Sequence, residues 1–224
     1  MCRMLGWIAG RAVSAREQLR GLRELSVQHA DGWGIATRAG AEWSLRKSVA
    51  CAARCCGYDD VLAAESTIGI AHVRKKTVGE TSVANTHPFR RGPFVFAHNG
   101  TVKDVAAVMA GTSAERLAEI EGQTDSEKLF AFVLTHVDHA GGDVERGAQA
   151  AVRALAAIGD GAGAATFLLT CGSRLYAHRL GRSLFTHVAD GVAMTASEPL
   201  GGLSWLEVPE RSLVVLDAAS VRLA

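Results

Sequence analysis

The chain has 224 residues, 48% of them hydrophobic and 21% charged, and a formal net charge of +1. This is the composition of a soluble globular protein large enough to form a core without covalent staples, and it fits one large domain. Basic residues adjoin only at Arg46-Lys47, Arg74-Lys75-Lys76 and Arg90-Arg91; so dispersed a set makes no broad basic patch and argues against nucleic acid as a partner.

The predicted elements follow in chain order. Residues 4–9 form a short apolar run ended by Gly10 and read as a buried strand. Ser14 is placed to cap a helix reaching Ser26, with Leu19, Leu22 and Leu25 on one face. Gly32-Trp33-Gly34 then opens strands at 35–38 and 42–46, turned at Ala39-Gly40. A further strand at 66–73 leads into a loop, 74–92, that has no helical period. Residues 94–98 make a strand running straight into the turn dipeptide Asn99-Gly100. Helices are expected at 126–136 and 144–158, followed by a glycine-rich break at 159–163 that carries no phosphate-loop lysine. The last third alternates turns with strands at 165–171, 175–179, 183–186, 192–195 and 213–216. Strands, then helices, then strands predict an α+β arrangement with helices layered against two sheets, in one domain spanning 1–224.

Chemistry concentrates at a few positions. The small side chain of Cys2 permits removal of Met1, leaving a residue that carries both a thiol nucleophile and an α-amine of pKa near ~8 to take and return its proton. Alone, position 2 reads equally as a small buried strand residue. Arg74 stands at the end of a strand and can form a paired hydrogen bond to a carboxylate, with Thr77 adding a hydroxyl; a solvated surface arginine is the plain alternative. Asn99 and Gly100 offer a side-chain amide and a backbone N–H on adjacent residues, an oxyanion hole if they are not an ordinary turn. Asp125 or Ser126 could cap the following helix, or Asp125 could face a substrate ammonium.

The cysteines are Cys2, Cys51, Cys55, Cys56 and Cys171, an odd and uneven set unlike a secreted disulfide framework. The N-terminus lacks the basic start and long apolar run of a signal peptide, and no stretch of about 18 apolar residues could cross a membrane as a helix. A reducing, cytoplasmic setting is therefore expected, with no membrane partner. Cys51-x3-Cys55-Cys56 and His136-x2-His139 lack the companion ligands of a zinc site and read as structural, so neither metal nor cofactor is expected. Trp33 reads as core, with pocket lining as the alternative.

Taken in order, these pieces resemble the class II glutamine amidotransferases of the small stand-alone type. The matching segments are Met1-Cys2, Asp31-Gly32-Trp33-Gly34, His72-Val73-Arg74 with Thr77 and Gly79, Asn85-Thr86-His87-Pro88-Phe89, His98-Asn99-Gly100, Thr124-Asp125-Ser126-Glu127, Ala196-Ser197-Glu198-Pro199 and Glu207-Val208-Pro209. The resemblance implies an N-terminal-nucleophile hydrolase with a four-layer αββα fold. It implies Cys2 as nucleophile toward the amide of glutamine, Asn99 and Gly100 as oxyanion donors, Arg74 with Thr77 on the α-carboxylate, and Asp125 on the α-ammonium. Gln28-His29-Ala30 stands where many members carry Arg-Gly, and Val78 stands where some carry histidine. The ammonia-using domain of many members has no counterpart here, which implies a stand-alone glutaminase or an ammonia donor to a separate protein. Two rivals remain within the same site. One is a hydrolase of another γ-glutamyl compound, like the related enzyme of ergothioneine biosynthesis, which shares Cys2 and the Asn-Gly pair but matches the Asn-Thr-His-Pro-Phe stretch less well. The other is a non-catalytic glutamine-binding subunit. A third, metal-binding reading would rest on Cys51, Cys55 and Cys56.

Overall fold

The computed structural model describes residues 2–224. In chain order the elements are β1 (Arg3–Val13), α1 (Arg16–Leu25), β2 (Trp33–Arg38), β3 (Trp43–Ser48), α2 (Gly57–Leu62), β4 (Ser66–Val73), β5 (Phe89–Arg91) and β6 (Phe94–Thr101). Then come α3 (Val105–Ala110), α4 (Ala114–Ala118), α5 (Asp125–His139), α6 (Val144–Ile158), β7 (Ala164–Thr170) and β8 (Leu175–His178). The chain closes with β9 (Phe185–Ala189), β10 (Val192–Ala196), β11 (Leu206–Glu207), β12 (Leu213–Leu216) and β13 (Val221–Leu223).

The strands form two antiparallel sheets. One runs β11-β9-β10-β1-β4-β2-β3 and the other β13-β12-β8-β7-β6-β5. Side chains alternate across a strand, so each sheet feeds two apolar layers. From β1, Leu5 and Trp7 join Leu19, Leu22 and Tyr58 under α1 and α2. Met4 and Ile8 point the other way, into a layer between the sheets with Ile70, Ala97, Leu168 and Val214. Beyond the second sheet, Phe96 and Phe167 meet Phe130 of α5 and Leu155 of α6. The order is thus helices, sheet, sheet, helices, and strands buried on both faces explain the apolar runs that mark β1, β4 and β6 in the sequence.

Local expectations are corrected at several points. Ser14 does not cap α1: its hydroxyl donates to Leu62 O (3.4 Å), and Ala15 takes the cap position without a side-chain bond. At α5 the cap is Thr124, whose Oγ accepts from Glu127 N–H (3.2 Å), rather than Asp125 or Ser126. The 74–92 loop contains the short edge strand β5, and the strand expected at 183–186 lies at Phe185–Ala189. Trp33 is core: it is buried under α1 and α2, edge-on to Tyr58 at 5.1 Å between centroids.

Candidate active site

Cys2 stands one residue before β1, and β1 pairs antiparallel with β4 so that Arg3 faces Val73. That register carries the end of β4 to the thiol: Lys75 N–H donates to Cys2 Sγ (3.3 Å), and Sγ in turn donates to Lys75 O (3.3 Å). Burial pushes the thiol above its ordinary range, and the bond from Lys75 and the Arg74 charge offset this only in part. The group is therefore a neutral thiol at pH 7 and needs a base to become a nucleophile. The expected loss of Met1 concerns a residue outside those described.

Arg74 follows β4 directly and is buried, 3% exposed. Its backbone N–H donates to Gly32 O (2.8 Å) and its carbonyl accepts from Asp31 N–H (3.1 Å), while Asp31 Oδ2 accepts from Lys76 N–H (2.8 Å). The Asp31-Gly32 segment is thus a clamp on this loop. Gly34 beside it must be glycine, since a Cβ there would lie 2.2 Å from His87 O. The Arg74 guanidinium donates to Val78 O (3.0 Å) and Glu80 O (3.1 Å). Two of its five N–H groups are spent on the loop, leaving three for an incoming anion. Thr77 lies exposed on the same loop, and its hydroxyl makes no hydrogen bond to Arg74.

Asn99 and Gly100 close β6. Opposite them, Ala165 N–H donates to Leu180 O (2.9 Å), so Ala165 turns its polar groups away from Gly100, its partner in the register. Gly100 therefore points its N–H away from β7. No other residue fits at this position, because a Cβ would sit 1.9 Å from Ala164 O. Asn99 is 2% exposed and its Oδ1 is buried without a hydrogen-bond partner among the described residues. Just beyond, Asp125 Oδ2 accepts from Val102 N–H (2.8 Å), bringing the first residue of α5 to the end of β6. His98 reinforces the junction through Ser126 Oγ (2.9 Å) and Ala164 O (2.9 Å). Since a carbonyl only accepts, we assign the ring proton to Nε2, and Nδ1 accepts from Ser126. Cys2 lies within electrostatic reach of Arg74 and Asp125, and Asp125 grips Val102, two residues past Gly100, whereas Thr77 is exposed.

Several contributors escaped the sequence reading. Lys75 acts through its backbone, which no side-chain pattern announces. Asn85 fastens the loop by donating to Glu80 O (3.0 Å) and accepting from Gln123 N–H (2.8 Å), a role that its matched segment left unassigned. Cys51, named earlier for a metal, is a free thiol bonded to Ser26 O (3.3 Å), and His136 lies edge-on to Phe132.

The family model for class-II glutamine amidotransferases matches residues 1–190. The chain belongs to that family. A γ-glutamyl-hercynylcysteine sulfoxide hydrolase of Mycobacterium tuberculosis is 35% identical over 239 aligned positions, covering 100% of this chain and 96% of that protein. An uncharacterised protein of Methanocaldococcus jannaschii is 31% identical over 153, covering 62% of this chain and only 39% of the relative. Among solved structures, a class-II domain protein from Silicibacter pomeroyi superposes with a TM-score of 0.74 at 19% identity over 100% of this chain and 98% of that one. The glutamine phosphoribosylpyrophosphate amidotransferase of B. subtilis gives 0.77 at 18%, with this chain spanning 49% of its length. These two likenesses show that the chain shares their fold of two antiparallel sheets between helices.

Buried histidines of this class II amidotransferase chain contribute to its acid stability, His72 and His87 among them. The His72 and His87 rings pack at a tilt with centroids 4.3 Å apart, and both are buried. Burial holds His72 down to about 3 and His87 well below the ordinary value. The unfolded chain therefore binds more protons than the folded one between pH ~6.5 and these values. Stability is complete above pH ~6.5 and is lost as pH falls, by up to about 1.4 kcal/mol per pH unit for each ring. Thermal melts between pH 7.5 and 4 should show the midpoint falling steadily below pH 6.5; a flat profile would mean the pair is not held neutral.

Proposed function

We propose that the protein hydrolyses the side-chain amide of glutamine through a thioester on Cys2, releasing glutamate and ammonia. The observation that carries this reading is a thiol at residue 2 within electrostatic reach of Arg74 and Asp125, the latter bonded two residues beyond the Asn99-Gly100 pair. Glutamine is a zwitterion at one end and an amide at the other, so its site needs a cation, an anion and donors for a developing oxyanion. With Met1 removed, the Cys2 amine takes the thiol proton and the thiolate attacks the amide carbon. Asn99 Nδ2–H and Gly100 N–H hold the oxyanion; collapse expels ammonia, which receives the proton from the α-ammonium. Water, deprotonated by the same amine, attacks the thioester and returns the proton to sulfur. Arg74, with Thr77 on the same loop, takes the α-carboxylate, and Asp125 the α-ammonium. The product ammonia either leaves or passes to a partner protein. The odd, unevenly spaced set of five cysteines supports a reducing, cytoplasmic setting.

A second reading keeps the site and changes the leaving group. The whole-length 35% identity to a γ-glutamyl-hercynylcysteine sulfoxide hydrolase supports a larger γ-glutamyl substrate, with the glutamyl half bound as above. A substrate panel of glutamine and γ-glutamyl amides, scored by kcat/KM, separates the two. The test of both is intact mass spectrometry before and after treatment with a glutamine-analogue diazoketone. Loss of Met1 and one adduct on Cys2, blocked by excess glutamine, is the expected result. An unlabelled Cys2 would move the assignment to a binding subunit.

Arg74→Lys should raise KM for glutamine at least tenfold with a smaller change in kcat, because an ammonium cannot donate to two loop carbonyls and a carboxylate in one plane. Steady-state kinetics check this; an unchanged KM would remove Arg74 from the substrate.

A further inference from the structure

A cleft of about 750 Å³ lies away from Cys2. None of Cys2, Arg74, Asn99, Gly100 or Asp125 lines it. It opens where the last strand of each sheet ends the order, between β3 and β5, and is closed by the loop before β5 and by the start of α5. Its volume falls within the range of small-molecule sites, roughly 300–1,000 Å³.

The charges in this cleft do not cancel. Glu127 is buried and fully occupied: it pairs with Arg91 and accepts from the N–H groups of Glu121 (3.0 Å) and Gly122 (2.6 Å). Arg91 is likewise spent on Glu127 and on the carbonyls of Arg90 and Glu119. The Glu121 carboxylate is 75% exposed and 4.0 Å from Arg91, so water screens it. Lys47 is different. Its ammonium lies over the Phe89 ring, 5.3 Å from the centroid, and forms no ion pair among the described residues. Arg90 spends Nε on Gly92 O (3.0 Å) and also has no carboxylate partner. The walls beside these cations are apolar and exposed, from Leu45 (37%) and Val83 (53%).

We propose that this cleft is a second ligand site, for a small organic anion with an aromatic or branched apolar body. The anion sits against Lys47 and Arg90, and the body packs on Leu45 and Val83. An ammonium over a ring face, beside carboxylates that are already matched or solvated, is an incomplete arrangement, since a bound carboxylate or phosphate would supply charge and hydrogen bonds that the ring does not. Burial correspondingly holds Lys47 down to about 8, against weaker opposition from Glu127. The groups facing it are Arg91 and Arg90 from β5, Glu127 from α5 and Glu121 from the loop before it. Of these carboxylates, Glu127 is already matched and Glu121 solvated. An anion that needs the ammonium charged will therefore bind more weakly as pH rises through about 8.

The proposal does not rest on the chemistry of Cys2, and its test measures binding to the full chain without turnover. Phenyl phosphate is titrated calorimetrically at pH 7, with inorganic phosphate as the probe lacking a body. Phenyl phosphate should bind at least tenfold more tightly than inorganic phosphate. Lys47→Met, which keeps the apolar stem, should weaken phenyl phosphate at least tenfold, and Lys47→Arg should stay within threefold. A second measurement needs no variant. Pyridoxal 5′-phosphate condenses with a free lysine amine, water leaves, and borohydride reduces the imine to a stable secondary amine. Peptide mapping should find Lys47 labelled ahead of Lys75, Lys76, Lys103 and Lys128, and phenyl phosphate should protect it. Absence of phenyl phosphate binding, equal affinity for inorganic phosphate, indifference to Lys47→Met, or labelling without preference for Lys47 would each overturn the assignment.

Discussion

Replacing Cys2 by alanine should abolish ammonia release from glutamine, a loss on the order of 10⁴- to 10⁶-fold, while leaving the fold intact. The two effects separate because of where the thiol sits. Its hydrogen bonds are a weak pair with the backbone of Lys75, both at 3.3 Å, and its side chain is half-buried before β1 begins. Losing them costs stability on the order of 1 kcal/mol. The register of β1 with β4 and β10 depends on residues from Arg3 onward and is unaffected. Cys2→Ser tests the chemistry more finely. The hydroxyl can occupy the same place between Lys75 N–H and O, but it is far harder to ionise than a thiol, so activity should remain severely depressed with substrate binding retained. Glutamine hydrolysis is measured by ammonia release, and substrate binding by thermal shift. Wild-type turnover in Cys2→Ala would refute the nucleophile outright.

How much of this was legible in the sequence depended on length and on the kind of group involved. The strands β1, β4, β6 and β7 and the helices α5 and α6 carry long apolar patterns, because each is buried in the interior layers. Their succession was enough to expect helices against two sheets. The helices α2, α3 and α4 have six, six and five residues, less than two turns, and leave no period to read. The edge strands β5, β11 and β13, of two or three residues, are fixed by their neighbours rather than by their own composition. At the site, Cys2, Arg74, Asn99 and Asp125 were visible because their functional groups are side chains of distinctive chemistry. Thr77 was read as a hydroxyl beside Arg74, and in the structure it lies exposed on the same loop. Lys75 and Val102 were invisible because they contribute only backbone N–H and C=O groups. The Lys47 cleft was hidden for a different reason: its residues come from the edges of two sheets, and only the packing of those sheets makes them neighbours.

Asn99→Ala should reduce kcat by about 100- to 1,000-fold, equivalent to roughly 3–4 kcal/mol of lost oxyanion stabilisation, with little change in KM. The structure makes this a sharp test, because Asn99 has a stability signature opposite to that of a structural residue. It is 2% exposed, and its Oδ1 is buried with no hydrogen-bond partner among the described residues. A buried, unsatisfied acceptor costs about 1–3 kcal/mol, so replacing it with a methyl group relieves that penalty and offsets the small cavity it leaves. The melting temperature should therefore hold or rise while turnover collapses. Gly100→Ala is not an equivalent probe, since its Cβ would strike Ala164 O and open the end of the β6–β7 pair. If Asn99→Ala lost several degrees in melting temperature and kept its kcat, Asn99 would be a structural residue and the oxyanion would have to be held by Gly100 and other backbone donors.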